Sequence, residues 1–470
     1  MTDDPAFLSA TTLLSLYRKR KLSPVEATRA ALAKIERFEP VLNAFVLVDE
    51  KKALADARAS ERRWAKGEPK GALDGVPTTL KDTLLARGWP TRRGSRTIDP
   101  KGPWTEDSPT VARLREAGAV FLGKTTTPEF GWKAVTDSTL TGVTRNPWDL
   151  ERTPGGSSGG AAASLAVGAG TLAVGTDGGG SVRIPAGFTG VVGFKPTVGL
   201  VPIYPGSPTG NLGHVGPMAR EVADAALVLD VIARPDIRDW QPPASRPSGF
   251  LKSLKRGIDG LRVAFSPTLG YAKVDPEIAA IVARAARTFT SLGARLSHAD
   301  PGFTAPDETF RLHWYPSAAW TVHSIPKAKR RLIDPGLAHI AAEGEAITLV
   351  QHFEAAAERI RLASVMRQFH ERYDLLLTPT LPIEAFAAGV DGPGNPKPGR
   401  WADWTPFTFP FNLTGQPAIS VPCGLTEAGL PVGLQIVGPI HRDDLVLRAA
   451  YAFEQARPFS IFGANRAAGG

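Results

Sequence analysis

Residues 153–201 read TPGGSSGGAAASLAVGAGTLAVGTDGGGSVRIPAGFTGVVGFKPTVGLV. Two glycine-framed serine sites, Gly156-Ser157-Ser158-Gly159 and Gly178-Gly179-Gly180-Ser181, flank a segment of small residues. Glycines beside a serine open backbone angles closed to other residues and leave the hydroxyl exposed. Consecutive backbone N–H groups next to a hydroxyl also supply donors for an oxyanion beside a nucleophile. Neither glycine cluster is followed by Lys-Ser or Lys-Thr, so a phosphate-cradling loop is a poor reading. The stretch points to a catalytic centre built from serines.

Between the two clusters, Ala161 to Val167 reads as a small-residue helix and Thr171 to Val174 as a strand leading to the second cluster. Upstream, Ser23-Pro24-Val25-Glu26 is a helix start, with serine as cap, proline first and glutamate three residues after the cap. A second helix runs from Ser108-Pro109 to Gly118, followed by a strand at Ala119 to Leu122, and Thr78 to Leu80 reads as a strand. Downstream, helices are expected at Glu221 to Ile232, Pro276 to Leu292 and Gln351 to His370. Strands are expected at Leu261 to Phe265, Leu375 to Leu377, Ala418 to Val421 and Val432 to Val437, the last two joined by a turn at Glu427-Ala428-Gly429. Pro235 to Gly249 and Asp391 to Arg400 read as loops. Helices alternating with strands argue for an α/β fold.

The chain has 470 residues, 43% hydrophobic and 21% charged, as in globular proteins, and no linker divides it. One domain over 1–470 is the expectation. A single cysteine, Cys423, excludes an internal disulfide and fits a reducing compartment. The segment MTDDPAFLSATTLL carries acids where a signal peptide needs a basic region, so a cytoplasmic, membrane-free protein is expected. The net charge of +9 is dispersed; Arg18 to Lys21 and Lys327 to Arg331 lack interleaved aromatics, which gives no ground for a nucleic-acid partner. No histidine sits in a metal-binding motif, and no metal or cofactor is expected.

One lysine completes the centre. Gly75-Val76-Pro77-Thr78-Thr79-Leu80-Lys81-Asp82 places Lys81 at the end of a strand that would carry it inward. Burial disfavours the ammonium, and a neutral amine can serve as a general base.

With these residues the chain resembles the amidase signature family. The matching segments are GVPTTLKD, GKTTTPEFGW (123–132), TRNPWD (144–149), GGSSGG, GTDGGGSVRIPAGFTGVVGFKPT, GPMAR (216–220), PAISVPCG and GLPVGLQIVG, in that order. The resemblance implies one large mixed β-sheet covered on both faces by helices. Its signature core would lie at about 70–220 and 370–455, with a helical and lid region outside it at about 235–370 and a loop at 384–411. It also implies a Ser-cisSer-Lys triad, with Ser181 as nucleophile, Ser157 as bridge after a cis peptide, and Lys81 as base. Gly178, Gly179, Gly180 and Ser181 would form the oxyanion hole, and Ser158, Asp177 and Arg183 would support the loop. Gly131 and Trp132 would border the acyl pocket, although Phe130 and Trp132 equally suit plain core positions. His313 to Trp320 and Arg400 to Phe411 are aromatic segments that either line the pocket or pack a lid.

The implied activity is an amidohydrolase for small or aryl amides, with carbamates admitted, acting as a monomer or homodimer on a small molecule. The alternative is the glutaminase subunit of a tRNA-dependent amidotransferase. Residues 353–382 lack the tyrosine-rich segment expected of that subunit. A non-catalytic binding protein is a third reading, opposed by the joint presence of Lys81, Ser157 and Ser181.

Overall fold

The computed structural model describes residues 4–207, 209–241, 249–394 and 396–461. Thirteen strands occur among them: β1 (Phe45–Val48), β2 (Pro77–Lys81), β3 (Val120–Thr125), β4 (Asp137–Ser138), β5 (Gly142–Val143), β6 (Leu172–Asp177), β7 (Val192–Lys195), β8 (His214–Ala219), β9 (Arg262–Phe265), β10 (Arg295–His298), β11 (Leu375–Pro379), β12 (Ala418–Leu425) and β13 (Pro431–Val437). All but the β4–β5 hairpin join one 11-stranded sheet in the order β1-β3-β2-β6-β8-β7-β12-β13-β11-β9-β10. β2 runs parallel to both β3 and β6, and β9 parallel to both β10 and β11; the pairs between these groups are antiparallel.

Strand alternation divides the core into two layers, because successive side chains point to opposite faces. Leu80, Leu172, Val174, Leu375, Leu377, Ile419, Val421, Leu434 and Ile436 join the apolar cluster on one face. Ala173, Leu376, Ala418 and Val437 join the cluster on the other. Both faces are covered, which is why the central strands read as nearly continuous apolar runs. The mixed α/β sheet expected from the family resemblance is borne out.

The expected helices form at Pro24–Leu42, Pro109–Glu116, Gly159–Ala166, Val222–Ile232, Pro276–Ser291 and Leu349–Arg372. Ser23 and Glu26 make both hydrogen bonds of the capping box. The segment expected to loop at Pro235 to Gly249 lies partly outside the described residues. Within the region at 235–370, β9 and β10 extend the sheet at one edge. Residues 313–320, read from sequence only as an aromatic stretch, lie within the helix Asp307–Ser324. Pro316 inside it and buried residues on several sides conceal the usual helical stripe. Among the described residues no helix is long and apolar enough to cross a membrane.

Two features of this frame position the site. The C-terminal ends of the parallel neighbours β2 and β6 open at the same side of the sheet, and Leu80 pairs with Val174. Lys81 follows Leu80 and therefore faces the opposite layer, where the helix Gly159–Ala166 packs with every residue buried. That helix comes this close because its first two residues are glycines: a Cβ on Gly160 would lie 2.4 Å from Thr126 Oγ1.

β8 is seated as tightly against β7. A Cβ at Gly216 would lie 2.1 Å from the carbonyl oxygen of Phe194. Gly216→Ala is therefore expected to force the two strands apart and lower stability by about 1–3 kcal/mol. The urea unfolding midpoint measures this, and an unchanged midpoint would show that the strands can give way.

Candidate active site

Lys81 is the last residue of β2 and is fully buried. Its Nζ lies 2.7 Å from Ser157 Oγ and 3.0 Å from Thr176 Oγ1, with the Thr176 carbonyl at 3.4 Å. Burial pulls the ammonium pKa down from 10.5 to about 7, against the opposing charge of Asp177. Lys81 is thus poised to shed its proton near neutrality and accept one from the serine beside it.

Ser157 follows a cis Gly156–Ser157 peptide and precedes the helix Gly159–Ala166. Gly131, with φ +73°, packs directly against it, since a Cβ there would lie 3.2 Å from Ser157 Oγ. Ser158 donates its hydroxyl to the Thr176 carbonyl at 3.2 Å, and its N–H donates to the Ser181 carbonyl at 3.1 Å. These two bonds tie the first serine site to the second.

Ser181 lies in the short connection between β6 and the helix Arg183–Thr189. Asp177 and Arg183 bracket this connection and are both fully buried. Asp177 Oδ1 accepts the Gly180 N–H at 2.7 Å, and Oδ2 accepts the Val182 N–H at 3.2 Å. Arg183 donates to both carboxylate oxygens at 3.0 Å. Its remaining donors reach Thr408 O, Gln435 Oε1 and Asn412 Oδ1 at 2.9, 2.9 and 2.7 Å. Burial pushes the Asp177 carboxyl up, but the Arg183 charge and hydrogen bonds from Arg183 and Asn412 hold it well below the usual range.

The N–H groups of Gly178, Gly179 and Ser181 make no hydrogen bond with any described residue. Of the four N–H groups expected as oxyanion donors, that of Gly180 is instead committed to Asp177. A Cβ on Gly178 would lie 2.9 Å from the Trp314 ring, and one on Gly179 2.7 Å from the Trp401 ring. Glycine at these positions lets the aromatic wall close directly on the peptide.

Ser157 and Ser181 share one cavity of about 370 Å³, lined also by Phe130, Gly131, Trp132, Tyr204, Trp314 and Trp320. Trp314 Nε1 donates to the Trp132 carbonyl at 3.0 Å, which joins the helix Asp307–Ser324 to the loop carrying Gly131. The aromatic segment at 313–320 thus contributes Trp314 and Trp320 to the wall, whereas His313 is absent from it. The segment at 400–411 does not line this cavity. It lies behind the glycine loop: Trp401 packs on Gly179, and Thr408 Oγ1 donates to the Gly179 carbonyl at 2.7 Å. Trp404 stacks on Phe188.

Sequence reading overlooks a second buried lysine beneath the site. Lys195 Nζ lies 3.3 Å from His214 Nε2, and His214 Nδ1 donates to the Leu212 carbonyl at 2.8 Å. Burial and the Lys195 charge hold the His214 pKa well below 6.5, so a neutral imidazole forms part of the cavity wall. No short motif connects these residues with Asp177; they meet because β7 pairs with β8 and β8 with β6. Cys423 is buried and its thiol is pushed up to about 12 by desolvation, a state without nucleophilic character. Among the described residues no group of three or more His, Cys, Asp or Glu side chains is placed to hold a metal ion.

The profile of the Amidase family matches residues 26–447. An acylamidase of Rhodococcus erythropolis is 40% identical, covering 97% of this chain and 96% of that protein. A glutamyl-tRNA(Gln) amidotransferase subunit of Moorella thermoacetica is 37% identical over 96% of this chain and 97% of its own length. The crystal structure of a bacterial aryl acylamidase of the amidase signature family superposes with a TM-score of 0.91 at 32% identity, covering 99% of both chains. The extent of these matches, across the whole sheet and both serine sites, means that this chain belongs to the amidase signature family of amidohydrolases.

Proposed function

We propose that the protein hydrolyses small and aryl amides, with aryl carbamates also accepted, through an acyl-enzyme on Ser181. The observation that carries this reading is the 2.7 Å contact between buried Lys81 and Ser157, in a cavity wall shared with Ser181. Neutral Lys81 takes the Ser157 proton while Ser157 takes that of Ser181, and Ser181 Oγ attacks the amide carbon. The N–H groups of Gly178, Gly179 and Ser181 receive the oxyanion. The proton returns through Ser157 to the departing amine, and water then releases the acid and restores Ser181. The aromatic wall of Phe130, Trp132, Trp314 and Trp320 suits a flat ring better than the polar side chain of glutamine.

A panel of acetanilide, an aryl carbamate, an aliphatic amide and glutamine tests the reading. Anilide hydrolysis is expected, with Ser181→Ala lowering kcat by about 10⁴-fold or more. Turnover of glutamine alone would instead favour the amidotransferase reading, the activity named for the Moorella relative. Lysine as the base also sets the pH profile. Activity needs the neutral amine, so kcat/KM should rise about tenfold per pH unit below the Lys81 pKa of about 7 and level off above it. A flat profile from pH 5.5 to 9, with chemistry rate-limiting, would exclude Lys81 as the base. Trp320 is 61% exposed at the cavity mouth. Trp320→Ala should raise KM for aryl amides several-fold more than for acetamide, an effect of about 1 kcal/mol. Equal changes in the two KM values would remove Trp320 from ring recognition.

A further inference from the structure

The cavity around Ser181 holds a charge that amide hydrolysis itself does not use. Of the residues lining it, Asp177 and Arg93 are charged, and Asp177 is neutralised by its ion pair with Arg183. The Arg93 guanidinium makes no hydrogen bond or ion pair with any described residue. The carboxylate that acts on it electrostatically, Asp82, is engaged elsewhere. Asp82 Oδ1 lies 3.1 Å from Lys124 Nζ and accepts the Arg92 N–H at 3.2 Å, while Oδ2 accepts the Gly94 N–H at 3.2 Å. Burial lowers the Lys124 pKa only to about 8, so Lys124 keeps its proton at neutral pH. The Lys124–Asp82–Arg93 group therefore carries one positive charge in excess, at the cavity wall.

The backbone around Arg93 is constrained as well. Arg93 and Phe130 both have φ of 53°, in the left-handed region that side-chain-bearing residues rarely occupy. They are joined by a hydrogen bond from the Phe130 N–H to the Arg93 carbonyl at 2.7 Å. Phe130 also lines the cavity and precedes Gly131, which packs on Ser157. A guanidinium does not shed its proton in a protein, and partial burial without a counter-ion is unfavourable. A ligand carboxylate would supply the missing partner, matching the planar fork of donors with two parallel hydrogen bonds.

We propose that Arg93 is a specificity-determining residue that selects amides carrying a carboxylate remote from the scissile bond, on the acyl chain or on the leaving amine. This rests on the amidase reading of the same cavity. The dispersed positive charge of the chain, +9 overall, favours the approach of such anions.

Two matched pairs of probes test it and distinguish the two positions of the carboxylate: N-succinyl-4-nitroanilide against N-butyryl-4-nitroanilide, and 4-acetamidobenzoate against 4-methylacetanilide. Binding to the Ser181→Ala protein is measured by calorimetry, and kcat/KM with active enzyme, both at pH 7.5. In at least one pair the carboxylate is expected to be favoured by about tenfold or more, in both Kd and kcat/KM. Arg93→Met should bring that ratio to about one, whatever the absolute rates, and Arg93→Lys should retain part of it. Ratios at or below one in both pairs, or a preference that survives Arg93→Met, would overturn the assignment. If the active enzyme cleaves none of the four compounds, the hydrolase reading fails, while the Kd ratios on Ser181→Ala still decide the role of Arg93.

Discussion

Asp177 and Arg183 meet in a bidentate ion pair with no solvent exposure, and the nucleophile loop is built around it. Removing two charges from water is costly, and their attraction offsets that cost only when the remaining donors and acceptors are satisfied. Here they are. The carboxylate takes two loop N–H groups and Asn412 as well as the guanidinium, while Arg183 reaches Thr408, Asn412 and Gln435. Losing one partner of such a pair typically costs about 3–5 kcal/mol, because the other charge is left buried alone. The pair also decides which amides are available to substrate, since it consumes the Gly180 N–H and leaves its neighbours free.

The same carboxylate tempers Lys81. Full burial alone would drive the amine far toward its neutral form, and Asp177 pulls it back. The outcome is a lysine that titrates near neutrality beside Ser157, as the proposed proton relay requires. Lys195, also fully buried, feels the repulsion of Arg183 in addition to desolvation, and both lower its pKa. Lys81 and Lys195 thus differ through their neighbours: Lys81 has Ser157 in reach, whereas Lys195 contacts His214 and the Pro196 carbonyl.

The cavity divides its work by chemistry. Backbone amides and hydroxyls converge at Ser181, rings of Phe130, Trp132, Trp314 and Trp320 supply flat apolar surface, and Arg93 adds a single cation. The aromatic residues come from the loop after β3 and from the helix Asp307–Ser324, joined by the hydrogen bond from Trp314 to Trp132. Arg400 to Phe411 serves a different purpose. Trp401 and Thr408 hold the glycine loop from behind, so they fix its backbone without lining the cavity.

Elements with local signals are legible in the amino-acid order alone: the capping box at Ser23, the apolar runs of β6, β11, β12 and β13, and the glycine-framed serines. That order also identified the family through Lys81, Ser157 and Ser181 in their motifs, whose glycines stand where a positive φ (Gly155, Gly180) or a close approach (Gly178, Gly179) excludes a side chain. Tertiary structure decided what depends on residues far apart in the chain. Arg183 finds Asn412 and Gln435 only when β13 joins the sheet beside β12. Trp314 faces Gly178 while Trp401 backs Gly179, although both belong to equally aromatic segments. Arg93 looks in sequence like any basic residue of a basic chain. Its meaning comes from what surrounds it, an Asp82 already engaged by Lys124 and an open cavity on the other side. Local patterning is set by backbone sterics and periodicity, whereas charge and access are set by neighbours that only the folded chain brings together.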